Sequence, residues 1–529
     1  MFIKRDLSIS RRAFARAVVG AAAGIAGSSK LGWAAAPRDR IVVAMSVGID
    51  SVNPYAHSDS PLYGLWGHIM ESLVDTDYER KNFSPELATA WSAKGNEWTF
   101  QLRKGVTFHD GSPFTAKDVA YSYERLVKDK QSLQAPNLSD IKEVKAPDDY
   151  TLVIVTQRPK VALLGLLYNR VVLSHKAVER LGDKLDTQAI GTGPYRFAGW
   201  QRGAHFTMRR NEKYWGAPPS VREIVWRPVK EDAARIAAIE SGQADIINQV
   251  PVHEIERLKR NPRVRVEMLR GLRVLYIGLN PAHKPFDNKL VRQAFNYAVD
   301  QEAIIKHVHE NQVYGLKGLL GPQMLGYDDQ LENYPYDPEK AKKLLAEAGY
   351  PNGLTVDFNT HAGRYQKDRE TAQAIASQMA KAGIKTDIKA PEYAIYEEEF
   401  NNGKYGMYMF GRGSITDPEA FYIRYFRSGR GKRLSYKNTD FDRIFDQQSE
   451  TFDPAKREEM LRQLGKILHE DCPVIPLYNT ADVYAVRREV IRKPRPDEKI
   501  RRQCPVPKLA FGGKSGQERN HRQAEEISF

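Results

Sequence analysis

Pro85-Glu86-Leu87-Ala88-Thr89-Ala90-Trp91, followed by Trp98-Thr99-Phe100-Gln101-Leu102-Arg103-Lys104-Gly105-Val106-Thr107-Phe108-His109-Asp110-Gly111 and then Thr115-Ala116-Lys117-Asp118-Val119, is the stretch on which the reading of this 529-residue chain turns. From Trp98 to Arg103 apolar and polar side chains alternate, the period-two pattern of a half-buried strand. His109-Asp110-Gly111 supplies turn chemistry, because glycine takes a positive φ without a Cβ penalty. Thr115 is read as the cap of a helix in which Val119, Ser122, Tyr123, Leu126 and Val127 recur at helical spacing.

The same alternation extends in both directions. Ile41 to Ala44 and Thr151 to Val155 read as strands. Ile224 to Trp226 is another, followed by a helix with Ile236 and Ile239 on one face and Gly242 placed to end it. At Leu275 the texture changes: Leu275 to Leu279 is strand-like, and Asp287 is read as the cap of a helix carrying Leu290, Val291, Ala294, Phe295 and Ala298. Asp337-Pro338 opens a helix with proline at its first position, where the missing N–H costs nothing, and Gly349 stops it. Thr355 to Phe358 and Lys385 to Ile388 are strands around a helix from Asp368 to Ala382, which Gly383 ends. Asp453-Pro454 starts a last helix through Met460, Leu461, Leu464, Ile467 and Leu468. Strands and helices alternating over this length predict an α/β fold in two or three domains, without internal repeats.

A net charge of +14 raises the question of nucleic acid, and its distribution answers it. Residues 1–36 hold six basic side chains against one acidic, and residues 492–529 hold ten against five, leaving about +4 for everything between. A nucleic-acid footprint needs basic residues clustered on a folded face, and none is visible. Cys472 and Cys504 are too few for a disulfide framework and lack metal-ligand spacing; Cys472 reads as a small buried residue. Ser8-Ile9-Ser10-Arg11-Arg12-Ala13-Phe14, a weakly apolar run from about Ala17 to Gly27, and Ala34-Ala35-Ala36 follow the order of a secretory signal. The Ser10-Arg11-Arg12-x-Phe14 core resembles a twin-arginine signal. The apolar run is shorter than the roughly 18–20 residues of a membrane-spanning helix.

Three further motifs follow the opening stretch in order. They are Gly191-Thr192-Gly193-Pro194-Tyr195-Arg196-Phe197 with Trp200 and Arg210-Asn211-Glu212-Lys213-Tyr214-Trp215-Gly216; Phe286-Asp287-Asn288 with Val291-Arg292-Gln293-Ala294; and Asp471-Cys472-Pro473-Val474-Ile475-Pro476-Leu477-Tyr478. Over about residues 40–500 the set resembles the family 5 extracellular solute-binding proteins of ABC importers, which include dipeptide-, oligopeptide- and nickel-binding proteins. The resemblance implies a two-lobed α/β periplasmic binding protein fold (a Venus flytrap of type II, cluster C-like) whose lobes are joined by two crossing strands. Lobe I would span 37–272 plus 479–502, with an inserted subdomain at about 57–189, and lobe II would span 273–478. Residues 1–36 would be the signal peptide, and the polar segment 503–529 reads as a disordered tail. The implied role is a monomeric periplasmic receptor that captures a peptide or peptide-like solute between its lobes. It would deliver the solute to permease subunits served by cytoplasmic ATPases.

No enzyme or cofactor signature competes with that reading. HExxH, GxSxG and Walker sequences are absent, and His109 has no nucleophile or second carboxylate spaced to join it, so it reads as structural. Gly191-x-Gly193 precedes a strand-like run rather than a helix, unlike a dinucleotide loop. Gly411-x-Gly413 lacks the third glycine and the helix of a phosphate loop. His307-x-His309 has no third ligand nearby and reads as a solvated helix face rather than a metal site.

The resemblance also locates the ligand. Peptide-binding members carry Trp-x-x-Asp-x-x-Asp-Pro in the second lobe, the first Asp pairing with the peptide ammonium. Here the segment is Gly411-Arg412-Gly413-Ser414-Ile415-Thr416-Asp417-Pro418, with Asp417-Pro418 matching and Ser414 in place of the ammonium-binding acid. A hydroxyl cannot replace that charge, and Arg412 adds a cation that favours an anion, unless it is simply a solvated surface arginine. The alternative ligand is therefore a non-peptide polar or anionic solute such as an opine, an amino-acid conjugate or a sugar derivative. Arg364, beside Tyr365 in the loop after a strand, is the candidate carboxylate clamp, because a guanidinium fork grips a carboxylate bidentately. Tyr393 follows the next strand and lines the cleft or packs in the lobe. On the first lobe, Asn53, Tyr55 and Gln249 follow strands that should end near the cleft.

Overall fold

Two long strands organise the chain. Val264–Leu279 and Val474–Arg487 pair antiparallel, with Val264 opposite Arg487 at one end and Gly278 opposite Val474 at the other. Their register slips between Arg270 and Val274. Gly271 sits in that slip, where an added Cβ would lie 2.8 Å from the Thr480 carbonyl oxygen. On one side of the slip Val474–Arg487 takes Ile246–Asn248 as its other neighbour; on the opposite side Val264–Leu279 takes Met407–Arg412. The two strands thus cross from one half of the molecule to the other inside a single eleven-stranded sheet.

The computed structural model describes residues 39–490, except 50, 55–59, 77–82, 129–137, 139, 362 and 414–416. The signal sequence, Tyr55, Ser414, Cys504 and the tail lie outside the described residues.

In the first half, Arg40–Met45 runs parallel to both Glu223–Pro228 and Ile246–Asn248, and the sheet continues through His205–Arg210 to Tyr195–Gln201. A separate four-stranded sheet is formed by Ala88–Lys94, Glu97–Leu102, Thr151–Thr156 and Ile141–Lys145. Its alternation is the one the opening stretch predicts: Trp98, Phe100 and Leu102 are buried. Helix Ala116–Lys128 follows and buries Val119, Ser122, Tyr123 and Leu126. Gly111 takes φ +87. His109 Nε2 lies 2.9 Å from the Gly193 carbonyl, and its Nδ1 accepts the Gly191 N–H at 3.3 Å, so the imidazole clamps two of the quoted motifs together. Gly191 and Gly193 leave no room for a side chain, because a Cβ would meet the Ile69 and His68 carbonyl oxygens at 2.2 and 2.6 Å.

In the second half the sheet is covered on both faces, which is why Leu275 to Leu279 reads as a nearly continuous apolar run. Leu275, Ile277 and Leu279 join Phe295, Ile375 and Met379 on one face. Val274 and Tyr276 join Phe421, Phe441 and Leu464 on the other. Leu354–Asn359 is parallel to both Ile384–Lys389 and Met407–Arg412, so these three strands place their carboxyl ends along one edge.

Three expectations are corrected. The strand read from Leu275 begins at Val264, its early part being disguised by arginines. The helix read from Asp287 is capped by Asn288, whose side chain accepts the Leu290 N–H. His309 is not on a solvated face: it is buried, packs on Tyr478 at 4.4 Å, and lies 3.0 Å from Thr371 Oγ1.

The halves also touch away from the crossing. Val161 N–H donates to the Ser449 carbonyl at 3.1 Å, and the Trp98 and Phe452 rings lie 5.8 Å apart. Buried Lys160 bridges Asp140 of the first half and Glu419 of the second, the latter at 3.2 Å.

Candidate functional site

Parallel strands in α/β sheets bind ligands beyond their carboxyl ends, where the backbone leaves the ladder and loops are free to carry chemistry. Three loops leave that edge in the second half: Thr360 onward after Leu354–Asn359, Ala390 onward after Ile384–Lys389, and Gly413 onward after Met407–Arg412. Because Val264–Leu279 runs antiparallel to Met407–Arg412, with Val274 opposite Arg412, the register slip at Arg270–Val274 lies at the same edge.

The first loop is held by one carboxylate. Asp368, at the start of helix Asp368–Lys381, accepts the N–H groups of Gly363, Arg364 and Tyr365 at 3.2, 2.9 and 3.2 Å and lies 3.2 Å from His361 Nδ1. Burial pushes this carboxyl up, but His361 and the loop amides outweigh it and hold its pKa below the usual range. The turn presents Arg364 outward, its guanidinium 4.6 Å above the Tyr393 ring. Tyr365 turns inward instead. Its hydroxyl donates to the Gly411 carbonyl at 3.1 Å and accepts the Gly411 N–H at 3.0 Å, and burial raises its pKa. A Cβ on Gly411 would stand 2.8 Å from the Tyr365 ring, so glycine at this position makes the contact possible.

Arg412 ends its strand half-buried, with its Nε buried and without a hydrogen-bond partner. Gly413 follows, and a Cβ there would lie 3.4 Å from the Arg273 guanidinium carbon, which in turn sits 5.3 Å from the Tyr365 ring. The structure therefore brings Arg364, Tyr365, Tyr393, Arg412 and Gly413 to one edge and adds Arg273. The sequence reading missed Arg273 because it started the strand two residues later. The available signal was Arg270-Gly271-Leu272-Arg273 interrupting an alternating run.

Asp417 is placed differently. It caps helix Pro418–Tyr425 by accepting the Glu419 N–H at 2.9 Å, and both its oxygens receive the Arg457 guanidinium, at 2.7 and 2.8 Å. Burial pushes the Asp417 carboxyl up, yet Arg457 outweighs it and holds the pKa below the ordinary value. On the first half, Asn53 donates its N–H to Ser51 Oγ at 3.0 Å. Gln249 takes φ +49 and exposes its side chain, while its carbonyl accepts from Arg235 at 3.2 Å. The neighbouring Asn248 ties the two loops together by accepting the Ser46 N–H at 2.9 Å.

Two α/β halves joined by two crossing strands, with polar loops at the strand ends beside the crossing, define the solute-binding class of fold. Residues 82–433 match the model of the bacterial extracellular solute-binding proteins, family 5, and the chain belongs to that family, whose members serve ABC importers. Heme-binding protein A of Haemophilus influenzae is 31% identical, over 77% of this chain and 81% of its own. The dipeptide-binding protein of Escherichia coli is 30% identical, over 82% and 87%. Among solved structures, the ABC transporter-associated periplasmic binding protein DppA from Helicobacter pylori, in complex with peptide STSA, superposes with a TM-score of 0.73 at 27% identity, covering 88% of this chain and 96% of that one.

Proposed function

We propose that this chain is the periplasmic receptor of an ABC importer, and that it closes on a peptide or peptide-like solute and catalyses no reaction. The carrying observation is the juxtaposition of the crossing strands with the three strand ends that present Arg364, Tyr365, Tyr393, Arg412 and Gly413. In this reading residues 37–272 plus 479–502 form one lobe and 273–478 the other, Asn53 and Gln249 face the ligand from the first lobe, and the cleft closes by rotation at Arg270–Val274. The bound solute shifts the population to the closed form only by its extra contacts there. The N-terminal segment carries a folded monomer out by the twin-arginine route, and the permease receives the closed form. A non-peptide solute is kept as a second reading because a similar protein is named for heme and because Ser414 replaces an acid.

Calorimetry and small-angle scattering on the purified mature chain, against a panel of free-amine dipeptides and N-blocked peptides, test the proposal. Binding should come with a smaller radius of gyration. A panel member that is hydrolysed, or a complete absence of binding and compaction, would overturn it.

A further inference from the structure

Several charged groups with limited access to water are held in ion pairs in this protein. Lys160 holds Asp140 and Glu419, Arg427 holds Asp442 and Asp446, and Arg457 holds Asp417. The strand-end edge of the second half differs, with Arg273 and Arg412 half-buried there and Arg364 and Arg424 exposed. Arg273, Arg364, Arg412 and Arg424 form no ion pair among the described residues. Arg273 and Arg364 lie against the rings of Tyr365 and Tyr393, and Arg412 has a buried Nε with no acceptor. Arg424, on the helix that Asp417 caps, lies near enough to Arg433 and Arg412 that their charges add to burial in lowering its pKa.

Among the described residues, the acids nearest this edge in the chain are engaged by other groups. Asp368 is used by the loop amides, Asp417 by Arg457, Glu419 by Lys160 and Glu392 by the Ala394 N–H. Glu397, whose charge does reach Arg424 and Tyr393, is exposed. The link Gly413-Ser414-Ile415-Thr416 contains no acid in its sequence. Guanidinium groups gathered without counter-ions repel one another, and a buried N–H without an acceptor costs free energy. Both costs are relieved together by an anion delivered from outside, and each fork matches a carboxylate.

We infer that Arg273, Arg364 and Arg412, with Arg424 at the rim, are one recognition wall, and that the solute carries at least two carboxylates on the side facing it. The inference rests on the receptor reading above and narrows its ligand class to acidic peptides and other polycarboxylates. Arg273 has a further role in it: standing in the register slip of a crossing strand, it ties ligand charge to the hinge.

Isothermal titration with Ala-Ala, Glu-Glu, N-acetyl-Glu-Glu and tricarballylate separates the claims. The acidic probes should bind roughly tenfold or more tighter than Ala-Ala, with affinity falling as salt rises. Arg412→Gln and Arg273→Gln should each weaken the acidic probes by about 30-fold or more while the urea midpoint of the unliganded protein stays level or rises. Tricarballylate against the peptides distinguishes a bare polycarboxylate from an acidic peptide. Equal binding of Ala-Ala and Glu-Glu, or arginine variants that bind acidic probes like the parent, would overturn the wall and leave the receptor standing. If no probe binds and scattering shows no compaction, both fall.

Discussion

The pair Asp417–Arg457 offers a sharp test, because it separates a structural acid from a ligand-binding one. Both side chains are buried, and the contact is bidentate at 2.7 and 2.8 Å. Asp417→Asn removes the charge while keeping an oxygen that caps the Glu419 N–H as well as aspartate does, so loss of the cap contributes almost nothing. What is left is a buried guanidinium without its main partner, a loss of about 3–5 kcal/mol. With a urea slope of about 3 kcal/mol per molar or more for a chain of this size, the midpoint should fall by roughly 1 M. Arg457→Met should cost a similar amount, and the double variant should recover part of the loss, because neither charge is then stranded. The acid limb carries the same information. The folded pKa of Asp417 is depressed, so its stabilisation is present above the unfolded carboxylate pKa and disappears as pH falls through the folded value. Asp417→Asn should therefore flatten the acid limb. A midpoint shift below about 0.2 M, together with a large loss of ligand affinity, would refute the structural assignment and return Asp417 to the binding site.

Three other outcomes follow from the same structure. Burial lowers the pKa of both His109 and His309 from 6.5 to about 4, so each stays neutral in the folded chain while the unfolded chain protonates. Stability should fall as pH drops from 6.5 to 4, and His309→Gln should remove up to roughly 3 kcal/mol of that fall in urea titrations at the two pH values. Gly271→Ala pushes a Cβ to 2.8 Å from the Thr480 carbonyl and should cost about 1–3 kcal/mol, read by thermal melting. An unchanged melt would mean that the crossing is less tightly packed than described. Tyr365→Phe strips both hydrogen bonds from Gly411 and should cost about 1–3 kcal/mol, with faster hydrogen exchange at the Gly411 amide as its local signature.

Much of the fold was legible because local signals agreed with tertiary demand. Trp98, Phe100 and Leu102 alternate since only one face of their strand meets the core, and Gly242, Gly349 and Gly383 mark helix ends by taking the positive φ that other residues resist. The crossing strand was half hidden. Its first ten residues alternate Val264, Val266 and Met268 with Arg265, Glu267 and Leu269, and the Arg270-Gly271-Leu272-Arg273 interruption resembles a loop when no partner strand is in view. His309 misled for a related reason. On a one-dimensional pattern it sits among Lys306, His307 and Glu310, and only the packing of Tyr478 and Thr371 turns it inward. For the site, Arg364, Tyr365 and Tyr393 were traceable because they follow strands whose ends can be read, and Arg412 because the resemblance to peptide-binding relatives pointed to its segment. Asp417 lay in a matching motif, but the motif could not show that Arg457, forty residues on, occupies it.

The position of Val474–Arg487 has a consequence for synthesis. This strand lies between Val264–Leu279 and Ile246–Asn248, in the middle of the sheet, yet it leaves the ribosome well after both of them. Until it emerges, the strands on either side of it are open edges with unpaired amides and carbonyls, the kind of surface that invites pairing with another chain. The sheet is completed only by contacts of very long sequence separation, which form late and slowly. A growing chain of this protein is therefore two unfinished edges waiting for one strand, and any holding factor it needs must keep them apart until residue 487 has been made.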